Sequence, residues 1–433
     1  MSVRLFFIAF SLLLLPSPGF AQGYTTWLTG NATDVQTEHE FGVVLGGGGG
    51  DNDDAMRWML QRAAGGDVVV LRTSGADGYN DYFFNELNVS VNSVRTIRFD
   101  QPTAVQDTLV ADWIRAAEVV FLAGGDQSEY VAWWQNTPVM AALNYVLTEK
   151  RGTVGGTSAG MAVLGQLYFS AAAGTVHSDE SLADPFNPFL DAGLVDTADF
   201  LQTPFLENTI TDTHWADRER EGRTVTFLAR LSAARGQRTF AIACNEYTAL
   251  TVDSLGIARV YGEAPQYPDY AHFLAVNCQD DFLPEMLAAQ TPLDWQRGGA
   301  AVKVYRVPGT TTGANFLDLT DWSTGSGGQW QNWSVEAGTL QTSAVATSDC
   351  AETTTSTGEQ ALDDRVRIFP QPASDWMQLQ TTAPLDAWSL HNVLGQAVLQ
   401  GTGKSIHTQE LPAGTYYLKI GARSYPITIV TSR

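Results

Sequence analysis

Short apolar segments alternate with amphipathic stretches between residues 41 and 307. The apolar segments lie at 41–45, 68–71, 94–99, 119–122 and 152–155. This alternation predicts βαβ units and a mainly parallel sheet that is covered by helices on both faces. Because function in such sheets gathers at the carboxyl ends of the strands, the glycine-rich turns at 46–50, 124–126 and 155–160 are candidates for a site.

The pattern changes after Pro308. Thr, Ser, Gly and Trp dominate 309–358 without helical periodicity, which predicts a linker region with a few strands at 308–362. Short alternating segments follow at 365–369, 376–380, 416–420 and 425–430. They predict a small β-sandwich at 363–433. The α/β domain is therefore expected to occupy 22–307.

The first residues have the order of a secretory signal peptide. Arg4 precedes an apolar run at 5–15, and a segment rich in Pro and small residues leads to Ala21. The run is shorter than the roughly 18 to 20 apolar residues that span a bilayer, which argues against a membrane anchor. The sequence thus predicts a signal peptide at 1–21, cleavage after Ala21, and export.

The chain of 433 residues has 47 acidic and 25 basic side chains and a net charge of −22. Binding of nucleic acid through its phosphates needs a basic surface, so the charge argues against that class of function. The three cysteines are too few and too far apart for a zinc site or a disulfide framework. Cys244 lies in an apolar run and is expected to be a buried thiol, and a bond between Cys244 and Cys278 stays open. No metal or organic cofactor is implied.

The segment Gly156-Thr157-Ser158-Ala159-Gly160 follows a predicted strand and precedes an apolar helical stretch. This G-x-S-x-G pattern is typical of a nucleophile elbow, in which glycines permit a strained turn that exposes the serine hydroxyl. Ser158 is then the candidate nucleophile, and the amide of Ala159 can donate to an oxyanion. A turn of this composition can also bind phosphate or simply pack closely.

A serine nucleophile needs a base, and the chain has six histidines. His214 stands out because Arg218, Arg220 and Arg223 follow it in a chain with few basic residues. A solvated helix start with charge pairs four residues apart would also explain these arginines. The other five histidines have no comparable setting.

Four motifs follow one another in the chain: FLAGGDQ at 121–127, GGTSAG at 155–160, DTHWADREREGR at 212–223 and IACNEYTAL at 242–250. Over 41–307 this series resembles the cyanophycinase and peptidase E family of serine peptidases. The resemblance implies a doubly wound α/β fold related to the class I glutamine amidotransferases. It also implies a triad of Ser158 as nucleophile, His214 as general base and Glu246 as the carboxylate that orients the imidazole.

The resemblance assigns further roles. The amide of Gly125 would complete the oxyanion hole with that of Ala159, and Gln127 would contact the substrate, although Asp126 could equally be a helix N-cap in a plain turn. Arg218, Arg220 and Arg223 would bind substrate carboxylates, which implies an aspartyl or isoaspartyl substrate such as cyanophycin-like polymer. Asp179 and Glu180 are reserve candidates for the role of Glu246. The glycine run at 46–50 is interpreted as a tight turn that caps a helix and could line the cleft.

A second resemblance lies at the C-terminus, in VRIFPQPA at 366–373, WSLHNVLGQ at 388–396 and LPAGTYYL at 411–418. These motifs resemble the sorting domain of type IX secretion substrates, although a β-sandwich adhesion or carbohydrate-binding module is an alternative. The resemblance implies the type IX secretion machinery as a partner and a secreted or surface-attached protein. The expected function is an exported serine peptidase. An amidase or esterase, and an inactive surface-binding protein, are the alternatives.

Overall fold

A computed structural model describes residues 23–347 and, farther along, 367–369, 376–380, 387–392, 396–409, 411–420 and 423–429. The chain divides into two compact units, Met1–Glu352 and Thr353–Arg433. The expected signal peptide at 1–21 lies outside the described residues. In the part that the structure describes, no helix has the length and apolar character needed to cross a membrane.

The first unit contains strands and short helices in alternation. The strands are β1 (Tyr24–Gly30), β2 (Gly42–Gly46), β3 (Asp67–Arg72), β4 (Ser93–Phe99), β5 (Val119–Leu122), β6 (Thr153–Thr157), β7 (Tyr168–Phe169), β8 (Leu194–Val195), β9 (Thr209–Asp212), β10 (Phe240–Cys244), β11 (Ala249–Val252), β12 (Ile257–Tyr261), β13 (Tyr270–Val276), β14 (Val302–Pro308), β15 (Asn315–Asp318), β16 (Gly325–Ser326), β17 (Gln329–Glu336) and β18 (Thr339–Val345). The α-helices are α1 (Asp53–Gln61), α2 (Gly78–Asp81), α3 (Thr108–Ala116), α4 (Gln127–Trp134), α5 (Pro138–Tyr145), α6 (Ala159–Ala162), α7 (Ser178–Ala183), α8 (Pro188–Gly193) and α9 (Glu221–Arg235). Shorter turns of π-helix (Tyr82–Glu86, Val146–Lys150) and 3-10 helix (Pro102–Gln106, Ala216–Arg218, Arg297–Gly299) complete the set.

A ten-stranded mixed sheet is the main scaffold, with the order β1-β4-β3-β5-β6-β2-β11-β12-β15-β16. Its central strands β4, β3, β5, β6 and β2 are parallel to one another, and antiparallel strands flank them on both sides. The predicted α/β class with a mainly parallel sheet is confirmed for this core. The carboxyl ends of β2, β5 and β6, which precede the three glycine-rich turns, therefore meet at one edge.

Both faces of the parallel strands are buried. Along β3, Val69 and Leu71 pack in one hydrophobic cluster with α3, α4 and α5, whereas Val68 and Val70 pack in another with α1. Because alternate side chains of a strand point to opposite faces, this division shows that helices cover both sides of the sheet. Burial of both faces explains why these strands are continuous apolar runs in the sequence.

A second sheet of six strands, in the order β18-β17-β14-β13-β10-β9, corrects the predicted domain boundary. The segment after Pro308 is not a linker over its described part, to residue 347, because β17 pairs with β14 and β15 pairs with β12. Its tryptophans make these contacts favourable: Trp333 stacks on Trp215 at 5.8 Å and Trp322 on Phe240 at 4.4 Å between ring centroids. The remainder of the predicted linker, 348–362, lies outside the described residues.

The second unit has strands β19 (Arg367–Phe369), β20 (Trp376–Gln380), β21 (Trp388–His391), β22 (Ala397–Gly401), β23 (Ser405–His407), β24 (Gly414–Ile420) and β25 (Arg423–Ile429). They form two antiparallel sheets, β19-β20-β23 and β22-β21-β24-β25. Met377 and Ile406 from one sheet share a core with Leu390, Leu418 and Ile427 from the other. The described strands thus form the predicted small β-sandwich.

Cys244 and Cys278 differ in their bonding. Cys244 is a free, buried thiol, and burial raises its pKa. Cys278 is disulfide-bonded. The two are therefore not joined to each other.

Candidate active site

Ser158 lies in a strained turn between β6 and α6, with φ of 52° and ψ of −116°. Two glycines make the turn possible. A Cβ at position 156 would lie 2.5 Å from the carbonyl carbon of Gly160, and one at position 160 would lie 2.0 Å from the oxygen of Leu122. The backbone therefore passes so close to its neighbours that only glycine fits on either side of the serine.

Three side chains that are far apart in sequence form one hydrogen-bonded chain. The hydroxyl of Ser158 lies 2.7 Å from Nε2 of His214, and Nδ1 of His214 lies 2.5 Å from Oε1 of Glu246. With the proton on Nδ1, the imidazole donates to the carboxylate and accepts from the hydroxyl. The structure thus brings together all three residues of the implied triad.

The sheets explain how these side chains meet. His214 follows β9 and Glu246 follows β10, and the two strands are parallel neighbours whose carboxyl ends lie side by side. The amide of His214 donates to the carbonyl of Gly47 at 2.8 Å, which joins the second sheet to the loop after β2. His214 has a positive φ of 47°, and a strained backbone is common at functional sites.

The reserve carboxylates do not reach the imidazole. Glu180 instead accepts a hydrogen bond from the amide of His177 at 2.9 Å and belongs to the cap of α7, where Asp179 also lies. Glu246 is held from its backbone, because its amide donates to Oδ2 of Asp217 at 3.0 Å. Among these acids, Glu246 is the partner of His214.

The glycine loop at 47–49 lies directly against the three side chains. A Cβ on Gly48 would lie 2.5 Å from Cε1 and Nε2 of His214, and one on Gly49 would lie 2.8 Å from the Cβ of Glu246. The sequence interpretation identified the turn that precedes a helix, and Asn52 does cap α1 by accepting from the amide of Ala55. It also allowed the turn to line the cleft but did not predict the contact with the triad, for which the run of glycines after a strand was the available signal.

The candidate oxyanion donors lie beside the nucleophile. A Cβ on Gly124 would lie 3.5 Å from the Cβ of Ser158, and Gly125 follows in the same turn. Within residues 23–347, neither the amide of Gly125 nor that of Ala159 donates to another protein group. Asp126 caps α4 by accepting from the amide of Ser128 at 2.8 Å, and half-buried Gln127 is the first residue of that helix.

The three arginines have different surroundings. Arg223 is 3% exposed and donates from Nε and Nη2 to the two oxygens of buried Asp212. Arg220 donates to the carbonyl of Thr213 at 2.7 Å and lies 3.6 Å from Asp212, and burial lowers its pKa to about 10. The prediction that Arg223 binds substrate is therefore corrected: its guanidinium is committed to Asp212. Arg218 is exposed.

Replacing Asp212 with Asn is expected to lower the free energy of unfolding by about 3–5 kcal/mol. The Arg223 guanidinium would remain buried without its carboxylate, and water would not solvate its charge. Urea denaturation followed by tryptophan fluorescence measures the loss. Asp191→Asn is the matched control because its pair with Arg230 has a half-exposed carboxylate, so a change within about 1 kcal/mol is expected. Equal losses in both variants would contradict this account.

Two cavities share Asp51 and Asp53 in their linings. One of about 560 Å³ includes Glu246 in its lining, and seven Asp or Glu side chains but no Lys or Arg contribute to it in the described part of the chain. We call it the acidic cavity. The other, of about 360 Å³, is lined by Asp51, Asp53, Arg72, Gly78, Tyr79 and Tyr82. We call it the Arg72 cavity. Sequence reasoning identified neither, because their residues come from separate loops.

Residues 367–430 match the family described as the secretion system C-terminal sorting domain. The first unit is similar to the cyanophycinases of Synechococcus elongatus and of Thermosynechococcus vestitus, with 27% identity over 229 residues in each case. These matches cover 49% of this chain, which spans 64% of the length of each relative.

Two solved structures are similar at lower identity. One is a peptidase from an acI-B1 Actinobacterium, with a TM-score of 0.38, 13% identity, and coverage of 55% of this chain and 95% of that one. The other is a putative peptidase E protein from Listeria monocytogenes, with a TM-score of 0.34, 10% identity, and coverage of 52% and 99%.

The fold and the site define an α/β protein with a serine, histidine and glutamate linked at the carboxyl edge of a mainly parallel sheet. More particularly, the chain is similar to the cyanophycinases, and residues 367–430 of its second unit match the secretion system C-terminal sorting domain. Such a sorting domain indicates that the protein is secreted and attached to the cell surface.

Proposed function

We propose that the protein is an exported serine peptidase that hydrolyses aspartyl or isoaspartyl bonds. The observation that carries this proposal is the hydrogen-bonded chain from Ser158 through His214 to Glu246. The similarity to cyanophycinases supports a peptidase rather than another use of the same groups. Cyanophycin-like polymer, or its fragments, is the proposed substrate.

The proposed reaction proceeds through an acyl-enzyme. His214 Nε2 takes the proton of the Ser158 hydroxyl as Oγ attacks the scissile carbonyl, and the amides of Gly125 and Ala159 donate to the oxyanion that forms. The imidazolium then gives its proton to the leaving amine as the carbon–nitrogen bond breaks. Water, activated by the same imidazole, hydrolyses the ester and regenerates the hydroxyl, while Glu246 keeps the imidazole oriented throughout.

The acidic cavity supports a substrate with cationic groups near the scissile bond. Glu246 contributes to both the triad and this cavity, so the cavity adjoins the reacting groups. Tyr247 and Tyr267 also line it and are 57% and 52% exposed. Carboxylates and tyrosine faces attract guanidinium and ammonium groups. The arginine side groups of a cyanophycin-like polymer have this chemistry.

The test is hydrolysis by the purified full-length protein of cyanophycin, of aspartyl dipeptides and of isoaspartyl dipeptides, with released amines quantified by mass. Release from at least one of these classes is expected, and it should persist in the presence of a chelator because no step needs a metal ion. Turnover of simple acyl esters alone, without any of these peptides, would point to an esterase and contradict the peptidase assignment.

The value of kcat/KM is expected to fall at low pH, with a midpoint below pH 6.5. Burial lowers the pKa of His214 from its ordinary value of 6.5, the hydrogen bond to Glu246 acts in the opposite direction, and the charge of Arg218 adds to the lowering. Only the neutral imidazole can take the serine proton, so the rate falls as pH drops through this lowered pKa. A pH–rate profile gives the position of the midpoint.

Arg218→Gln tests the same physical cause. Removing a positive charge near the imidazole should raise the pKa of His214, so the midpoint should move to higher pH. A midpoint above pH 6.5 in the unchanged protein, or a shift to lower pH in this variant, would contradict the assignment of His214 as the base.

A further inference from the structure

The segment after Pro308 reaches the neighbour of His214 through a pair of stacked indole rings. Trp215 directly follows His214 in the chain and is 1% exposed. Its ring lies 5.8 Å from that of Trp333 on β17, between centroids, with an interplanar angle of 8°. Trp333 thus joins a strand of the predicted linker region to the residue beside the imidazole.

The two rings lie inside the hydrophobic cluster between α9 and the second sheet. Both tryptophans share this cluster with Val225 and Leu228 from α9, and with Leu274 and Val304 from β13 and β14. Side chains in a protein interior are packed closely, so the position of one ring limits the position of the next. A change at Trp333 is therefore transmitted to Trp215.

The Trp215 ring also has contacts from other elements. Its Nε1 donates to Oγ1 of Thr224 on α9 at 2.8 Å. The ring packs against that of His272 on β13, with centroids 4.2 Å apart. Burial and the charge of Arg306 lower the pKa of His272 to about 3, so this neighbour is uncharged at neutral pH. Contacts from α9, β13 and β17 together fix the orientation of the indole.

The backbone of Trp215 connects this orientation to the triad. Its amide donates to the carbonyl of Cys244 at 3.2 Å, at the end of the strand that precedes Glu246. His214, the residue before it, has the positive φ of 47°, and a strained backbone persists only where its surroundings hold it. A shift of the Trp215 ring would therefore move the imidazole relative to Ser158 and Glu246.

Trp333 is itself held firmly. It is 4% exposed, and its Nε1 donates to Oε1 of Gln331 at 2.8 Å. Its strand, β17, pairs with β14 on one side and with β18 on the other. Two residues farther along, Val335 exchanges backbone hydrogen bonds of 2.8 and 2.9 Å with Trp295. The indole therefore projects from a paired strand of the second sheet and can act as a support.

We propose that Trp333 is a positioning residue for His214 and acts through Trp215. Removing the indole would leave a space in the cluster into which Trp215 can move. The imidazole would then lose its alignment with the Ser158 hydroxyl and the Glu246 carboxylate, and small displacements of this kind slow the chemical step. The inference rests on the proposed peptidase function and adds that the catalytic unit includes β17, in the region predicted as a linker.

Trp333→Leu in the full-length protein tests this role. Its kcat for peptide hydrolysis, expressed per active site after complete labelling with a fluorophosphonate, is expected to fall about tenfold or more. KM should stay within about twofold, because Trp333 lines neither cavity within residues 23–347. Trp333→Phe keeps an aromatic ring against Trp215 and should recover most of the rate. Counting labelled sites removes the contribution of protein that has not folded.

Trp322→Leu is the matched control. Trp322 belongs to the same segment and stacks on Phe240 at 4.4 Å between ring centroids. Phe240 is the first residue of β10, at the opposite end of that strand from Glu246. Both Leu variants should lower the melting temperature, but only the Trp333 variant should lower kcat. Equal losses of kcat in the two variants, or an unchanged kcat in Trp333→Leu, would overturn the inference.

Proton NMR gives a readout that does not depend on turnover. The Nδ1 proton of His214 lies in a hydrogen bond of 2.5 Å to Glu246, and protons in such short bonds resonate far downfield. His214→Gln should remove this resonance and so assign it. Trp333→Leu should weaken it or shift it upfield, whereas Trp322→Leu should leave it unchanged, and an identical resonance in both would contradict the positioning role. If the unchanged protein hydrolyses no peptide, the proposed function fails, while this resonance still decides whether Trp333 orients the imidazole.

Discussion

Replacing Ser158 with Ala is expected to lower kcat for peptide hydrolysis by about three or more orders of magnitude. Alanine has no oxygen to form the acyl-enzyme, and His214 then has no hydroxyl from which to take a proton. The oxyanion donors and both cavities remain, so substrate affinity should change little. Initial rates with the best substrate of the peptide panel, together with a binding measurement, provide both quantities.

Ser254→Ala is the matched control, because Ser254 is exposed in the turn between β11 and β12. It should leave kcat unchanged. A fluorophosphonate should label the unchanged protein and the Ser254 variant but not the Ser158 variant. Equal hydrolysis by the Ser158 variant and the unchanged protein would remove the case for a serine peptidase.

Replacing Gly48 with Ala is expected to lower kcat by about a hundredfold or more, since small displacements of a reacting group have effects of this size. The new methyl group would occupy a point 2.5 Å from Nε2 of His214 and 3.1 Å from the Cβ of Ser158. No real Cβ tolerates such a distance, so either the imidazole or the loop must move. The hydrogen bond between Ser158 and His214 would then be lost or misaligned.

Gly65→Ala separates this steric effect from backbone strain. Gly65 has a φ of +85°, close to the +94° of Gly48, but a Cβ there meets nothing within 4 Å. Both variants should lose about 1–2 kcal/mol of stability from the left-handed backbone, measured by thermal denaturation. Only the Gly48 variant should lose activity. A fully active Gly48→Ala protein would show that the loop does not constrain the imidazole.

Local patterns were sufficient to predict the parallel core and the turn around Ser158. The central strands are apolar on both faces, and this produces continuous apolar runs that are visible in the sequence. The G-x-S-x-G turn needs its glycines for close approach within a few residues, so its signal is also local. The pairing of Ser158 with His214 and Glu246 came from the resemblance, because no periodicity relates residues that meet only through the second sheet.

The predictions that were wrong concern contacts between segments that are distant in the sequence. The segment after Pro308 was predicted to be a linker because it is rich in Thr, Ser and Gly and has no helical periodicity, and the aromatic partners of Trp333 and Trp322 lie elsewhere in the chain. Arg223 was predicted to bind substrate because the sequence does not show that its guanidinium pairs with buried Asp212. Burial and pairing of this kind depend on the tertiary structure.

The glycine loop has a practical consequence for protein engineering. Positions 47–49 are closed to any side chain, since each Cβ would overlap backbone or catalytic atoms. A mutagenesis library aimed at new substrates should leave them fixed. It should instead randomise Tyr247 and Tyr267, which line the acidic cavity and are about half exposed. Diversity introduced there can alter selectivity without disturbing the alignment of the reacting groups.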